Sequence, residues 1–507
     1  MPRIDRRSLL ACGLAAAAIW RPLGQARAAS FKADPFSLGV ASGSPRANSV
    51  VIWTRLILED TSAITSADPF APAPKRVAEP MDIEWMVAED ETFSKTVQSG
   101  LFRAVPEFAH SVHVEVKGLK PGRWYFYRFR SGNATSPVGR TRTAPESGDA
   151  FRFAFASCQQ YEQGFYSAYG EMARSDLDLV VHLGDYIYER SYGAELVRRH
   201  GTGVPSLLYE FRDRYALYKS DPQLQVAHAA FPWLTIWDDH EVTNNYASDR
   251  APDAPNRAEF LDRRRAAYQA WFEHMPVPPA LAAGFDALRI YDHYRFGNLL
   301  GVSLLDTRQY RSPQLQGTAG NDQAERTMLG SVQEQWLART LGMSQAKWNI
   351  IAQQTLVSER DTKVGPETGY NLDGWDGYRA ARGRLLSAVQ SSAASNPIVI
   401  GGDLHAFYAA DVKRDFMDEK ARPIASEFVC GSITSDAPSE ASLATALAEN
   451  PHLKFASGKH GYAIMRLSER SAEVDFIGIA DRKQRNSPAA VFQRFAVVDG
   501  AAGVNRL

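Results

Sequence analysis

Read for its apolar positions, the chain shows two kinds of pattern. Between about Phe31 and Thr143 apolar residues come in short runs with partial two-residue alternation: Ser49–Thr54, Asp82–Val87, Ser111–Val116 and Trp124–Phe129. These runs are rich in aromatic and β-branched residues and predict short, half-buried strands. Ser42-Gly43-Ser44-Pro45 and Lys120-Pro121-Gly122 punctuate them as turns. From Phe151 onwards strand-like runs alternate with stretches of helical period. The predicted strands are Phe151–Ala156, Leu177–Leu183, Trp233–Trp237, Leu299–Leu305, Asn349–Ala352 and Pro397–Gly402. The predicted helices are Gly164–Arg174, Leu207–Lys219, Pro255–Met275 and a stretch around Gln333–Leu341. In Pro255–Met275 the apolar side carries Phe260, Leu261, Tyr268, Trp271 and Phe272. Such alternation predicts an α/β protein with sheets covered by helices.

Length and composition refine this picture. At 507 residues the chain exceeds one ordinary core, so two domains are expected. The break falls at Ala144-Pro145-Glu146-Ser147-Gly148, dividing a β-rich unit at 31–145 from a catalytic unit at 150–507. Leu119–Gly122 before Trp124–Tyr127 resembles the turn and tyrosine-bearing strand of fibronectin-type sandwiches, which makes the first unit an immunoglobulin/fibronectin-like β-sandwich. A net charge of −1 gives no electrostatic case for nucleic acid. Residues 1–29 form a separate object: Arg3 and Arg6-Arg7 precede the apolar Leu9–Trp20, and Ala26-Arg27-Ala28 is a small-x-small cleavage pattern. Arg6-Arg7-Ser8-Leu9-Leu10 resembles the twin-arginine export signal, with an ordinary secretory signal as the alternative. The expected location is therefore periplasmic or extracellular, with the twin-arginine machinery as export partner and no membrane span in the mature protein. Cys158 and Cys430 remain after removal of Cys12, either as a disulfide or, if the chain folds before export, as buried or metal-bound thiols.

The residues suited to chemistry collect at the ends of the predicted strands of the second unit. Asp178–Glu189 is the central case, an apolar run ending in Gly184-Asp185 with Tyr186 and Tyr188 close behind. Ser157-Cys158-Gln159-Gln160, Asp238-Asp239-His240-Glu241, Gln353-Gln354 and Asp403-Leu404-His405 occupy equivalent places after other strands. Ligand sites of open α/β sheets lie beyond the carboxyl ends of strands. One such group alone more often caps a helix or binds water. Five groups that combine thiol, carboxylate, phenol, amide and imidazole point instead to a metal cluster centred on Asp185. Thiolate, phenolate and imidazole suit a trivalent or borderline metal, and carboxylate and amide oxygens suit a hard divalent ion. A shared aspartate can bridge two such ions at about 3.5–4 Å, the spacing used for displacement at phosphorus.

Gly184-Asp185-Tyr186-Ile187-Tyr188-Glu189, Trp237–Val242 and Gly402-Asp403-Leu404-His405 together resemble PhoD-type alkaline phosphatases, within the calcineurin-like metallophosphoesterases and similar to purple acid phosphatases. Asp306–Arg311, Asp373–Tyr378, Gly39–Gly43 and Trp53-Thr54-Arg55 fit the same pattern. The resemblance implies a catalytic αββα sandwich after the β-sandwich. It implies that Cys158, Asp185, Tyr188 and His405 hold Fe(3+), with Asp185 bridging to Ca(2+) at a second site formed with Asp239, Gln354 and Asp403. Asp239 and Asp403 stand where relatives carry Asn and His, and Ala352-Gln353-Gln354 departs from the usual Gly-Asn-Gln. His240 matches the histidine that contacts phosphate and can protonate the leaving oxygen, and Asn245 and Arg308 are candidates for phosphate contact with no spacing argument of their own. The implied activity is hydrolysis of phosphate monoesters, releasing phosphate. A phosphodiesterase or phospholipase D-like hydrolase on the same metals is the alternative, and a non-catalytic surface protein is a third reading from another class. Pro488–Phe495 is a candidate C-terminal helix over the site.

The remaining histidines and arginines have plainer readings. His182 is expected as a hydrogen-bonded core histidine, His110 and His113 as surface or strand positions, and Arg263-Arg264-Arg265 as the solvated face of a helix. Cys430 is expected to be a packing residue.

Overall fold

The computed structural model describes residues 30–58 and 79–507. The expected export signal and Cys12 lie outside the described residues. The strands form three sheets. At the centre of the ten-stranded sheet Leu179–His182 pairs in parallel with Ala150–Ala156 on one side and Pro232–Thr235 on the other. Its four residues are all buried, as a strand covered on both faces requires. The seven-stranded sheet runs in parallel through Leu300–Leu304, Trp348–Ala352, Pro397–Gly401 and Pro423–Val429.

These two sheets share one core. Phe155, Val181 and Leu234 from the first pack in one cluster with Val302, Ile350, Ile398 and Phe428 from the second. The side-chain alternation of the strands then sends Ile351 and Val399 to the other face of the second sheet. There they meet Leu337, Leu341, Leu385 and Leu386 of helices Gly330–Gly342 and Arg379–Ser391. Burying each such side chain contributes about 1.5–3 kcal/mol. The expected helix at 255–275 is observed as Arg257–His274, with Phe260, Tyr268, Trp271 and Phe272 buried and Leu261 half-buried.

The N-terminal segment is less separate than its composition suggests. Val40–Gly43 pairs in parallel with Pro232–Thr235, which brings Ser49–Arg55 and Ser111–Lys117 into the large sheet. Met81–Ala88, Thr96–Ala104 and Trp124–Ser131 form the third sheet. Its Ile83, Val87, Tyr127 and Phe129 pack on Val50, Ile52 and Val112. The joint to the second unit is buried. His113 is buried with its ring 4.4 Å from that of Phe272, and Arg212 pairs with Glu273 while donating 2.7 Å to the Glu107 carbonyl. His113 takes a strand position, within Ser111–Lys117, and both it and His110 are buried, while Arg263 is turned onto Asp253 at 3.3 Å.

The C-terminal section differs most from expectation. Residues Ala489–Val498 form a strand paired with Ser471–Ile479, so the expected helix at Pro488–Phe495 is absent. Alternation explains this, because Phe495 and Val497 enter the core while Arg494 and Val498 stay out. Among the described residues no helix is long and apolar enough to cross a membrane.

Candidate metal centre

Both sheets deliver their strand ends to one place. Cys158 follows Ala150–Ala156, Asp185 follows Leu179–His182, and Asp239 and His240 follow Pro232–Thr235. Asp403 and His405 arrive from the second sheet after Pro397–Gly401. The turns that carry them are tight. Cys158, Asp185, Asn245, Asp403 and His405 all adopt left-handed φ between 54° and 62°. Non-glycine residues held in that region cost free energy and gather at functional sites. Gly184, at φ +111°, lets two of these turns touch, since a Cβ there would lie 2.5 Å from that of Asp238.

Three groups of side chains have ligand atoms within 4.8 Å of one another: Cys158, Asp185 and His405; Asp185, Asp239 and His240; and Asp238, Asp239 and Asp403. Tyr188 completes the first. Its hydroxyl donates 3.0 Å to Asp185 Oδ2, lies 3.0 Å from His405 Nε2 and accepts from Ser435 Oγ at 2.8 Å. Tyr186 turns away, with its hydroxyl 2.8 Å from His228. Burial pushes the Asp185 carboxyl, the Cys158 thiol and the Tyr188 phenol well above their usual ranges, and the Asp185 charge raises the last two further. Burial also lowers His405 to about 4. A buried set of acids that resists ionisation, beside a histidine that resists protonation, suits a cation as the missing countercharge. The donor types fit as well.

The second group is balanced differently. The Arg308 guanidinium pairs with Asp238, lies 3.4 Å from Asp239 and 2.7 Å from Asp373, and is 1% exposed. Burial alone would raise Asp239, but Arg308 and then His240 outweigh it and hold the carboxyl below its usual range. Asp238 Oδ2 has no hydrogen-bond partner, and Asp239 Oδ1 has none beyond its 3.4 Å ion pair with Arg308, which leaves lone pairs for an ion.

His240 is held from its other nitrogen. Its Nδ1 lies 2.7 Å from Glu189 Oε2, and its ring stacks 4.2 Å from that of Tyr188. Glu189 also accepts from Tyr192 at 2.8 Å and from the Asn244 backbone at 3.2 Å. With Nδ1–H donated to the carboxylate, Nε2 is left for a substrate. Burial would lower His240, but Asp239, Glu189 and Asp185 together raise it well above its ordinary value. Glu241 ties the turns together: its carboxylate accepts from the backbone of Asp185 at 3.1 Å, Tyr186 at 2.6 Å and Asp238 at 2.8 Å. The half-buried residues at the mouth include Asn244, Asn245, Asp403 and His405.

Two expected site residues are engaged elsewhere. The Gln354 oxygen accepts from Thr307 N and Oγ1, and its nitrogen donates to the carbonyls of Trp237 and Leu305 at 2.8 and 3.0 Å. It therefore joins the two sheets and has no open position for a metal. Arg308 is enclosed by carboxylates, in place of the phosphate contact expected of it. Sequence reasoning gave no individual role to Glu189, Glu241 and Asp238, although all three lie inside its motifs. Cys158 and Cys430 are both free and buried, so no disulfide joins them. His182 is buried with Nδ1 accepting from Gly184 at 3.4 Å, as a core histidine should be.

Comparison with known proteins agrees with this geometry. The profile of the PhoD-like phosphatases matches residues 153–476, and that of the PhoD-like phosphatase N-terminal domain matches residues 23–145. Alkaline phosphatase D of Bacillus subtilis (strain 168) is 41% identical over 468 residues, spanning 89% of this chain and 78% of the relative. A solved structure of PhoD superposes with a TM-score of 0.89 at 38% identity, covering 95% of this chain and 93% of that one. With strand ends from two sheets converging on buried cation ligands, and matches of this extent, the chain belongs to the PhoD-like phosphatase family and is a phosphoric ester hydrolase.

Proposed function

We propose that the protein is an exported phosphomonoesterase that works with Fe(3+) and Ca(2+) held side by side. The observation that carries this is the sharing of Asp185 between the Cys158/His405 group and the Asp239/His240 group. Cys158, Asp185, Tyr188 and His405 would hold the iron. Asp185, Asp239 and Asp403 would hold the calcium, with Asp238 in reach, while Gln354 and Arg308 brace this side from behind. Ions bound there would supply positive charge to phosphoryl oxygens and acidify water.

The chain's own residues do the rest. Asp185 fixes the spacing of the two groups. His240, fixed by Glu189 and stacked on Tyr188, presents Nε2 to the ester and can protonate the departing oxygen. Asn245, half-buried at the mouth with its backbone donating 2.6 Å to Asp239 Oδ2, is placed to contact phosphate. The same matches support the finer fold reading, a fibronectin-like β-sandwich followed by an αββα sandwich. The Arg6-Arg7 motif supports twin-arginine export to the periplasm or beyond.

Rates on a nitrophenyl phosphate monoester and on its bis-ester test the substrate class. The monoester should be hydrolysed faster, and a strong excess for the bis-ester overturns the monoesterase reading in favour of a diesterase. Metal analysis of protein exported on its own signal tests the ions. Iron and calcium should be present with a visible absorption band that Tyr188→Phe abolishes. Fully active, colourless protein holding only zinc would refute the iron assignment.

A further inference from the structure

Ser435 belongs to none of the motifs, yet it is 0% exposed and touches both residues that would give the iron its character. Its Oγ lies 2.8 Å from the Tyr188 oxygen and 2.9 Å from the carbonyl of Cys158. It also accepts from the Gln160 backbone at 3.3 Å. The surrounding loop is pinned. The backbones of Thr434 and Ser435 each donate 3.3 Å to the Cys158 carbonyl, and Ile433 donates 3.1 Å to Ser157. Asp436, the next residue, accepts from His405 Nδ1 at 2.9 Å through its carbonyl. One short segment after Pro423–Val429 thus reaches three of the four residues of the first group.

We propose that Ser435 is a positioning residue whose hydroxyl donates to the Tyr188 oxygen and sets the donor strength of that oxygen toward the metal. This rests on the ferric assignment of the first group. The hydroxyl has one hydrogen and two acceptors in reach. The Cys158 carbonyl already receives two backbone N–H groups, whereas a phenolate carries a full charge and forms the stronger, charge-assisted bond. Donation to a phenolate stabilises its filled orbitals and so raises the energy needed to move an electron from it to a ferric ion. Removing the donor lowers that energy. The group acts through Tyr188 and does not reach the ester.

The test is the visible spectrum of purified, iron-loaded full-length protein at matched iron content. Wild type is read first: if it holds no iron or shows no band that Tyr188→Phe abolishes, the ferric assignment fails, and the role given to Ser435 falls with it. With the band present, Ser435→Ala should move it to longer wavelength and Ser435→Thr should leave it near the wild-type position. A band unmoved in Ser435→Ala, at an unchanged iron-to-protein ratio, overturns the Ser435 inference while leaving the ferric assignment intact. Should Ser435→Ala fail to fold or to keep iron, Ser435→Cys, a much weaker donor, must give the same direction of shift, and an unmoved band there also overturns it.

Discussion

The Cys158/Tyr188/His405 group around Asp185 and the Asp238/Asp239/Asp403 group beside it are built on opposite electrostatic plans. In the Cys158/Tyr188/His405 group, among the described residues, no lysine or arginine side chain hydrogen-bonds to the thiol, the carboxylate, the phenol or the imidazole. Burial there favours the neutral forms. In the Asp238/Asp239/Asp403 group Arg308 supplies a permanent positive charge inside the cluster. Removing charges from water costs several kcal/mol each unless they are paired. The first group therefore leaves its charge balance to an ion, whereas the second is partly balanced by the chain. On the proposed assignment, the iron side should be the more dependent on its metal, and the calcium side the more exchangeable.

The most damaging way to probe this contrast is to remove what the groups share. Asp185→Asn should lower kcat by roughly three orders of magnitude, the scale of losing an electrostatic element at the reacting group, and should deplete both metals. Depletion of one metal alone, read by elemental analysis, would show that Asp185 does not bridge. On the iron side, Cys158→Ser should weaken iron retention by more than about 100-fold, beyond the usual effect of a merely supporting residue, while Cys430→Ser leaves it unchanged. On the other side, Arg308→Met should cost about 3–5 kcal/mol of unfolding free energy in chelator, because Asp238 and Asp239 lose their guanidinium partner and Asp373 keeps only Arg311. Calcium should restore more of the melting temperature in this variant than in wild type. Equal restoration would mean that Arg308 and calcium do not balance the same charges.

The last expected effect is one of pH. Cys158 and Tyr188 hold their protons in the absence of a cation, so iron must displace them. Its affinity should fall by about tenfold per pH unit for each proton displaced as pH falls. Calcium retention should fall mainly near and below about pH 6, because burial raises Asp403 to about 6 while Arg308 and His240 keep Asp239 ionised below the usual carboxylate range. Parallel pH profiles of iron and calcium retention would remove the distinction.

Much of this centre was legible because strand-end chemistry is local. The run Leu179–His182 and the turn at Gly184-Asp185 follow from hydrophobicity and from the need for glycine at a close approach. Tyr188 could be preferred to Tyr186 from their spacing, and the hydroxyl contacts with Asp185 and His405 agree. What a sequence does not carry is the direction of a side chain once its strand has ended. Gln354 stands at the right height but points between the sheets, and Arg308 points into the carboxylates. Asp238 and Asp239 are consecutive, and only the irregular backbone after Thr235 brings both to one group. Glu189 lies in the central motif, but its partner His240 is reached only through the fold. Three helices were missed, Pro222–Ala230, Arg379–Ser391 and Glu440–Glu449, the first despite a clear signal in Asp221 as cap and proline in the first turn. The C-terminal strands were missed although Gly461–Ser468, Ser471–Ile479 and Ala489–Val498 pair in order as sequence neighbours; what ties them to the centre is the pairing of Gly461–Ser468 with Ala150–Ala156, a partner distant in sequence.

That distance has a consequence for how the protein is made. The strand Ala150–Ala156 is flanked on one edge by Leu179–His182 and on the other by Gly461–Ser468. The N-terminal strand Val40–Gly43, finished early, pairs with Pro232–Thr235. During synthesis, then, one edge of the strand that carries Cys158 stays open until almost the whole polypeptide has left the ribosome. Pairings of such long range are slow to form, and open edges recruit other chains. The cell must keep the nascent chain from sticking to its neighbours through nearly all of translation, and the metal pocket takes shape only as the last third of the polypeptide closes over it.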